Sequence, residues 1–213
     1  MAEPDVAPRR VPRGERPAKG DLRERALLDA AEALLVGGGF ADASVAGLAE
    51  AVGISRAAFY FYFASKQALL ASVIDRAVEH FNAEIAAVLA PERQQRPADA
   101  VRATIEAAAT LWWDHGAVQV AAFELGAAVD EVYQRTMQNF AVVRDPTVAL
   151  LLRVGTVPEA RDVREAERLV MTLILMSERN FYDLMRGAPT PADRDSLVDR
   201  LTRIWTRAFG VAT

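Results

Sequence analysis

Apolar residues recur at helical spacing along nearly the whole chain after residue 20. The first such run carries charged residues on its other faces and consists of Leu22, Ala26, Leu27, Ala30, Ala31, Leu34 and Leu35. Gly37, Gly38 and Gly39 follow it directly. Glycine weakens a helix and accepts the left-handed backbone angles of a helix end. The pattern therefore predicts a first helix that begins near Asp21 and ends at this glycine run.

Three serines stand where further helices should begin, since a serine hydroxyl can accept a hydrogen bond from the free amides of a first helical turn. A helix that starts at Ser44 breaks near Gly53, and a short helix capped by Ser55 runs to about Tyr62. A fourth helix, capped by Ser65, continues to the proline at position 91. The segment thus predicts two short helices followed by a long one.

The remainder of the chain also has helical periodicity, interrupted by glycine and proline. Breaks at Gly116, at the Gly155 and Pro158 loop, and at a loop of one glycine and two prolines near residue 190 separate the predicted helices. These helices cover about 98–115, 117–126, 129–154, 161–187 and 191–209. Strand-like alternation does not persist beyond a few residues. The predicted fold is all-α, with about nine helices.

Composition divides the chain into three parts. Residues 1–20 combine four prolines with five basic residues and have little to bury, which predicts a flexible arm. This arm either contacts DNA or is a solubilising tail. We expect residues 21–66 to form a helix-turn-helix DNA-binding domain and residues 67–213 to form an effector-binding and dimerisation domain.

The two short helices have the spacing of a helix-turn-helix. Ala49 is small where two helices must cross closely, and Gly53 lies four residues later, where a tight turn needs positive φ. Leu48, Val52 and Phe59 supply apolar positions to lock the helices together. Such a unit presents its second helix to a DNA major groove. The alternative is an ordinary helical corner within a larger bundle.

Five consecutive aromatic residues, 59–63, end the second short helix. Phe59 and Phe63, four positions apart, can share the buried face, so Tyr60 and Tyr62 must point elsewhere. A phenol that donates to a backbone phosphate is a reasonable use of an exposed tyrosine. Lys66, at the start of the next helix, is also placed to favour a phosphate.

Charge and composition narrow the classes of protein. The 213 residues carry a net charge of −4, but residues 1–66 are neutral, so the whole excess of acid lies after them. The chain has no cysteine, which excludes disulfides and thiolate sites. The N-terminus lacks the pattern of a secretion signal, and the apolar runs are too short to cross a bilayer. We expect a cytoplasmic protein without membrane contact.

The segment Ser44–Leu70, SVAGLAEAVGISRAAFYFYFASKQALL, resembles the DNA-binding domain of the TetR family of bacterial regulators. The order of helices fits that family over nearly the whole chain. The aromatic run followed by Ser-Lys, the later segment Met176–Arg179, and Ile204-Trp205 resemble more narrowly the ethionamide-resistance (EthR-like) repressors of mycobacteria.

The resemblance implies a DNA-contacting surface in which Tyr60 and Lys66 bind phosphates and Ser44 offers its cap region to another. Arg56 would read a guanine through two hydrogen bonds, and Tyr62 would contact either a phosphate or a thymine methyl. Family members often carry Pro-Thr where this chain has two alanines at 57 and 58, which removes one expected phosphate contact. The implied surface comprises Ser44, Ser55, Arg56, Ala57, Tyr60, Tyr62 and Lys66.

The resemblance also implies an apolar effector channel in the C-terminal domain, although an aromatic stripe at helical spacing is also typical of an ordinary core. The implied lining consists of Ile85, Val88, Ile105, Trp112, Tyr133, Met137, Phe140, Ser177, Glu178, Phe181 and Trp205. Ser177 and Ile174 stand where the relatives carry amides, which predicts a more apolar pocket. Glu178 either orients an effector or makes a structural hydrogen bond.

The expected assembly is a homodimer through the helices near 161–187 and 191–209, bound to a palindromic double-stranded DNA operator. A small lipophilic effector would favour a dimer whose recognition helices no longer match successive major grooves, about 34 Å apart.

No cofactor or metal is expected. His80 and His115 have no partners at the spacing of a metal site or catalytic triad, so an enzyme is disfavoured. A helix-turn-helix protein without effector (architectural or division-control) and a transcriptional activator remain alternatives.

Overall fold

A computed structural model describes residues 19–90, 93, 95–126 and 129–212. These residues form nine α-helices and one short 3-10 helix, and they contain no strand, as the periodicity predicts. The helices are α1 (Lys19–Val36), α2 (Val45–Ala51), α3 (Arg56–Tyr62), α4 (Lys66–Val88), α5 (Pro97–Asp114), α6 (Gly116–Gly126), α7 (Asp130–Val154), α8 (Val163–Met185) and α9 (Pro191–Ala208).

The three predicted serine caps are confirmed. Ser44 Oγ accepts a hydrogen bond from Gly47 N at 3.0 Å, Ser55 Oγ accepts one from Ala58 N at 3.1 Å, and Ser65 Oγ accepts one from Ala68 N at 2.9 Å. Each bond satisfies an amide that lacks a partner within its helix. Local sequence therefore fixes where α2, α3 and α4 begin.

The turn between α2 and α3 depends on Gly53, which adopts the predicted left-handed conformation with φ +69. Gly53 N donates to Glu50 O and Ile54 N donates to Ala49 O, both at 3.0 Å, so the turn also satisfies the last carbonyls of α2. A residue with a Cβ atom would be strained here whatever space surrounds it.

Several element boundaries differ from the predicted ones. Helix α1 begins at Lys19, inside the segment assigned to the arm, while residues 1–18 lie outside the described part. A 3-10 helix over Pro158–Arg161 occupies part of the predicted loop, and α8 begins after it with Asp162 as its cap. The Asp162 side chain accepts from two amides of the first turn, which explains this later start.

The apolar core consists of two clusters. The N-terminal cluster joins α1, α2 and α3 through residues such as Leu27, Leu48 and Phe59, and the C-terminal cluster centres on Trp112 and Trp205 of α5 and α9. Helix α4 contributes to both, with its first half in the N-terminal cluster and its second half in the other. The N-terminal cluster also takes residues from α6 and α7, so the two parts of the chain share packing beyond residue 66.

Ionic contacts tie α1 to the helices behind it. The guanidinium of Arg76 on α4 contacts Asp29 at 2.6 Å and Glu32 at 2.5 Å, both on α1. Glu32 also lies 3.4 Å from Nδ1 of His115, at the end of α5. The first helix is therefore attached to α4 by charged groups as well as by apolar packing.

In the described part of the chain, no single helix is both long and apolar enough to span a membrane; α3 and α4 meet that criterion only when joined across their 49° bend. The same residues include no group of three or more His, Asp or Glu side chains placed to hold a metal ion.

We expect Gly53→Ala to destabilise the protein by about 1–2 kcal/mol, because alanine must adopt a left-handed conformation at that position. An added Cβ would meet no atom within 4 Å, so the loss of stability would come from backbone strain and not from a steric clash. Gly47→Ala, inside α2, is the matched control. Its Cβ would contact Ser44 Oγ at an ordinary 3.5 Å, and it should stabilise the helix by about 0.5–1 kcal/mol. Urea unfolding of both variants measures the difference, and equal effects would contradict the role of Gly53.

Candidate DNA-binding surface and effector cavity

Helix α3 presents one polar and aromatic edge to solvent. Arg56 and Ala57 are exposed, and so is Tyr60, with 46% of its surface accessible. Phe59 and Phe63 are buried on the opposite side, as their spacing predicts. The edge that the sequence assigns to DNA therefore lies outside the molecule.

A cation–π contact orders this edge. The Arg56 guanidinium carbon lies 5.8 Å from the centre of the Tyr60 ring, one helical turn away. Tyr60 in turn packs edge-on against buried Phe59, with ring centroids 5.6 Å apart. The arginine is thus held by an aromatic pair anchored in the core, which lowers the entropic cost of a contact that requires one arginine conformation.

The two cap serines, Ser44 and Ser55, are exposed at the start of α2 and α3. Their hydroxyl oxygens already accept backbone amides. The hydroxyl hydrogens remain able to donate, because a serine hydroxyl combines one donor with two acceptor sites. Both serines therefore retain one donor for a phosphate oxygen.

Lys66 makes hydrogen bonds within the protein that the sequence did not predict. Its Nζ donates to the carbonyl oxygens of Phe40 at 3.0 Å, Ala41 at 2.8 Å and Ala43 at 3.0 Å. An ammonium has three donors, and all three are occupied. The lysine binds the loop between α1 and α2 to the start of α4, so a direct phosphate hydrogen bond would require breaking one of these bonds.

Phe61 is the residue of this surface that the sequence reasoning missed. Phe61 is 83% exposed at the end of α3, and its ring packs edge-on against that of Tyr62, with centroids 5.2 Å apart. Tyr62 is half-buried and packs against the N-terminal core, so it is less available than expected. The available signal was the helical spacing: Phe61 follows Phe59 by two positions and cannot share its face.

A cavity of about 80 Å³ lies within the C-terminal helices. Its walls come from α4, α5, α6, α7, α8 and α9. The lining is largely apolar and consists of Ile74, Val78, Phe81, Thr104, Ile105, Ala108, Leu111, Gln119, Ala122, Phe123, Thr136, Asn139, Phe140, Val143, Ile174, Ser177, Glu178 and Trp205. An apolar cavity with few polar groups is typical of a small-molecule site.

Five of the predicted channel residues line this cavity: Ile105, Phe140, Ser177, Glu178 and Trp205. The other six do not. Tyr133 is 47% exposed on the outer face of α7, and Met137, on the same helix, is only half-buried. The remaining four are buried in the core beside the cavity and are Ile85, Val88, Trp112 and Phe181. The rings of Trp112 and Phe181 stack with their centroids 6.2 Å apart, so the two rings pack against each other and do not line the cavity.

Ser177 is fully engaged within the protein. Its hydroxyl donates to Leu173 O at 2.9 Å and accepts from Trp205 Nε1 at 3.0 Å. The serine therefore holds the tryptophan ring in place at the cavity wall. The sequence had suggested instead that Ser177 changes how the pocket recognises a ligand.

Glu178 is the one charged side chain among the described residues of the lining. Its Oε1 accepts a long hydrogen bond from Trp112 Nε1, at 3.4 Å. Burial raises the pKa of its carboxyl to about 7, and the indole hydrogen bond lowers that pKa only in part.

Two amide side chains at the cavity were missed by the sequence reasoning. Gln119 on α6 is buried and its Nε2 has no hydrogen-bond partner; Asn139 on α7 also has a buried amide nitrogen, Nδ2, without one. Most buried polar groups in proteins are satisfied. The sequence around each residue, apolar at Gln119 and mixed at Asn139, gave no sign that its amide would face the cavity.

A helix-turn-helix with an exposed recognition edge, packed on a helical domain with an apolar cavity, defines a DNA-binding transcription regulator. The comparisons with known proteins agree. Residues 27–73 match the family described as bacterial regulatory proteins, tetR family, and residues 101–209 match the C-terminal domain of the transcriptional regulator EthR.

The relatives span nearly the full chain. The HTH-type transcriptional regulator EthR of Mycolicibacterium smegmatis is 34% identical over 94% of this chain and 93% of its own. The protein of the same name from Mycobacterium tuberculosis is 31% identical, with 93% of each chain covered. Among solved structures, a transcriptional regulator from Rhodococcus sp. Rha1 superposes with a TM-score of 0.69 at 20% identity, covering 92% of this chain and 100% of that one.

The chain belongs to the TetR family of bacterial transcriptional regulators, and its C-terminal domain is of the EthR type. The predicted family and its narrower branch are therefore confirmed. The named relatives are HTH-type transcriptional regulators, which is the class that the sequence favours over an enzyme.

We expect Lys66→Met to lower the free energy of unfolding by about 1–2 kcal/mol, because it leaves three carbonyl oxygens without their charged donor. The slope of DNA affinity against salt concentration should stay unchanged, since no phosphate contact is lost. Thermal unfolding and a salt titration of DNA binding measure the two quantities, with Gln67→Met, at the exposed next position, as the control. A flatter salt slope with unchanged stability would restore the phosphate role of Lys66.

Proposed function

We propose that this protein is a dimeric repressor that binds a palindromic operator and is released by a small lipophilic effector in the apolar cavity. The observation that carries this proposal is the placement of an exposed arginine and tyrosine edge just before the start of α4 and of the cavity against the middle of that helix. Helix α4 belongs to both cores, so the two sites are mechanically connected.

The DNA contacts follow from the exposed edge of α3. Arg56, held over the Tyr60 ring, reads a guanine through two hydrogen bonds in the major groove. The hydroxyl of Tyr60 and the cap serines Ser44 and Ser55 contact phosphates, which set the register but carry no base preference. Phe61 lies beside them and contacts a thymine methyl group, the apolar feature of that groove.

The dimer forms through α8 and α9. Large apolar side chains are exposed on both helices: Val163 (54%) and Leu175 (48%) on α8, and Ile204 (43%) on α9. Leu175 and Ile204 would be covered where the two helices meet their copies in a second subunit. A two-fold dimer places two recognition helices on successive major grooves, which explains a palindromic operator.

Effector binding widens the cavity and moves α4. The free volume of about 80 Å³ is well below the roughly 300–1,000 Å³ of sites for drug-sized ligands. Ile74, Val78 and Phe81 of α4 form part of the wall, so a ligand of that size pushes on this helix. Arg76, on the same helix, is bound to Asp29 and Glu32 of α1. A displacement of α4 therefore carries the DNA-binding helices with it.

Two other functions fit the same fold: an activator and a helix-turn-helix protein without effector. The cavity and its unpaired polar groups favour an effector-controlled protein over one that lacks an effector. Loss of operator affinity on addition of lipophilic small molecules supports our proposal, whereas indifference to a broad panel supports the protein without effector. A transcription assay from the operator separates repression from activation.

We expect selection of bound DNA from random sequence to yield a palindrome containing a guanine in each half-site. Arg56→Ala should reduce operator affinity by about 1–3 kcal/mol while leaving affinity for random DNA almost unchanged. Tyr60→Phe, the comparison variant, should weaken both kinds of DNA alike because only a phosphate contact is lost. Enrichment of sequences without two-fold symmetry, or undiminished discrimination in Arg56→Ala, would disprove this assignment.

We expect Leu175→Asp and Ile204→Asp each to weaken the dimer at least tenfold, since a charge buried at an interface without a partner is costly. Sedimentation velocity over a range of concentrations measures the dissociation constant. Leu22→Asp on α1, where the leucine is 53% exposed, is the matched control and should leave the dimer intact. A dimer that persists in both variants would place the interface elsewhere.

A further inference from the structure

The polar groups in the effector cavity form an incomplete set of hydrogen bonds. Glu178 receives only the 3.4 Å bond from Trp112, although an ionised carboxylate can accept about four. No Lys, Arg or His belongs to the lining formed by the described residues. The carboxyl group therefore faces an apolar space without a cation, an arrangement that is unfavourable for its charged form.

The two amides supply the opposite kind of unsatisfied group. Gln119 Nε2 and Asn139 Nδ2 are buried donors without an acceptor, and both residues line the same cavity as Glu178. Leaving a buried donor unpaired costs free energy. An acceptor brought by a bound molecule would remove that cost at the moment of binding.

We propose that the ligand of this cavity is a lipophilic amine that also carries a carbonyl oxygen. Its ammonium group pairs with Glu178, its oxygen accepts from Gln119 or Asn139, and its hydrocarbon part packs against side chains such as Ile105 and Phe140. The inference rests on the proposed function, because it specifies the chemistry of the effector site.

Two other ligand classes fit these groups less well. A fatty acid would bring a second carboxylate beside Glu178, and the lining offers it no cation, so like charges would repel. A pure hydrocarbon would bury the carboxyl and both amides without satisfying any of them. The raised pKa of Glu178 is consistent with a carboxyl group that has no cation beside it, because an ammonium group at that place would lower the pKa again.

Three probes that each have eight carbon atoms and differ in the head group test the proposed chemistry: octylamine, octanol and octanoate. Calorimetry with the full-length protein in the absence of DNA measures each affinity. We expect octylamine to bind at least tenfold more tightly than octanoate, with octanol between them. Octanoate binding as tightly as octylamine, or no detectable binding of octylamine, would overturn the proposal.

Glu178→Gln tests the residue itself. This variant keeps the size of the side chain and removes its charge, so octylamine affinity should fall at least tenfold while octanoate affinity should stay the same or rise. Glu167→Gln, an exposed acid on the same helix, is the control and should change neither affinity. An unchanged preference for octylamine in Glu178→Gln would show that Glu178 does not select the ligand. The probe series on the unaltered protein decides the matter if the variant does not fold.

The role of the amides needs a second pair of probes. N-(2-aminoethyl)octanamide carries an amide carbonyl between an eight-carbon acyl chain and its amine, and it should bind more tightly than octylamine. Replacing Gln119 and Asn139 together by Leu should abolish that advantage without weakening octylamine. An advantage that persists in this double variant would overturn the assignment of the oxygen to these amides.

Operator release distinguishes this inference from the proposed function. If amines bind with the expected preference and leave DNA affinity unchanged, the ligand chemistry is correct and effector control is not. If other lipophilic molecules release the operator and amines do not bind, effector control is correct and the amine assignment is wrong.

Discussion

The structure depends on the shared packing of α4. Its first half closes the N-terminal core with Leu69, Leu70 and Val73, while Ile85 and Val88 near its end belong to the C-terminal core. A helix of 23 residues spans about 34 Å at 1.5 Å per residue, and close-packed interiors do not deform continuously. In the proposed mechanism, a displacement forced where the cavity meets the middle of this helix therefore reaches its DNA-binding end as a rigid movement. Arg76 adds an ionic attachment to α1 near the middle of this helix.

The sequence predicted the parts of the fold that short-range rules determine. The caps at Ser44 and Ser55, the positive φ at Gly53 and the burial of Phe59 each depend on neighbours within a few residues, so periodicity and turn chemistry were sufficient. Lys66 was different. Its acceptors lie 23 to 26 positions earlier in the chain, and no local rule brings that loop to the start of α4. The assignment of the lysine to a phosphate therefore rested on its position at the start of a helix and on the resemblance, and not on its contacts.

The cavity shows even more strongly that local sequence rules do not predict contacts between distant parts of the chain. Helical spacing places Tyr133, Met137 and Phe140 near one face, yet only Phe140 reaches the cavity because neighbouring helices decide which part of that face they cover. Gln119 and Asn139 could not be foreseen, since an unsatisfied amide is visible only once its surroundings are known. Sequence rules identify which helix contributes to a site, but the side chains that enter it depend on how six helices pack around the space.

The energetic requirement on the proposed effector explains why the polar groups of the cavity matter. Moving a two-state equilibrium from 1:99 to 99:1 takes about 5.5 kcal/mol of differential affinity. Burying about 250 Å² of hydrocarbon supplies roughly 6 kcal/mol at 25 cal/mol per Å², so any lipophilic molecule of that size could meet the requirement for opening the cavity. Apolar burial hardly distinguishes one such molecule from another. Selectivity must then come from Glu178 and the two amides, because an incorrect head group leaves them unpaired in the widened cavity.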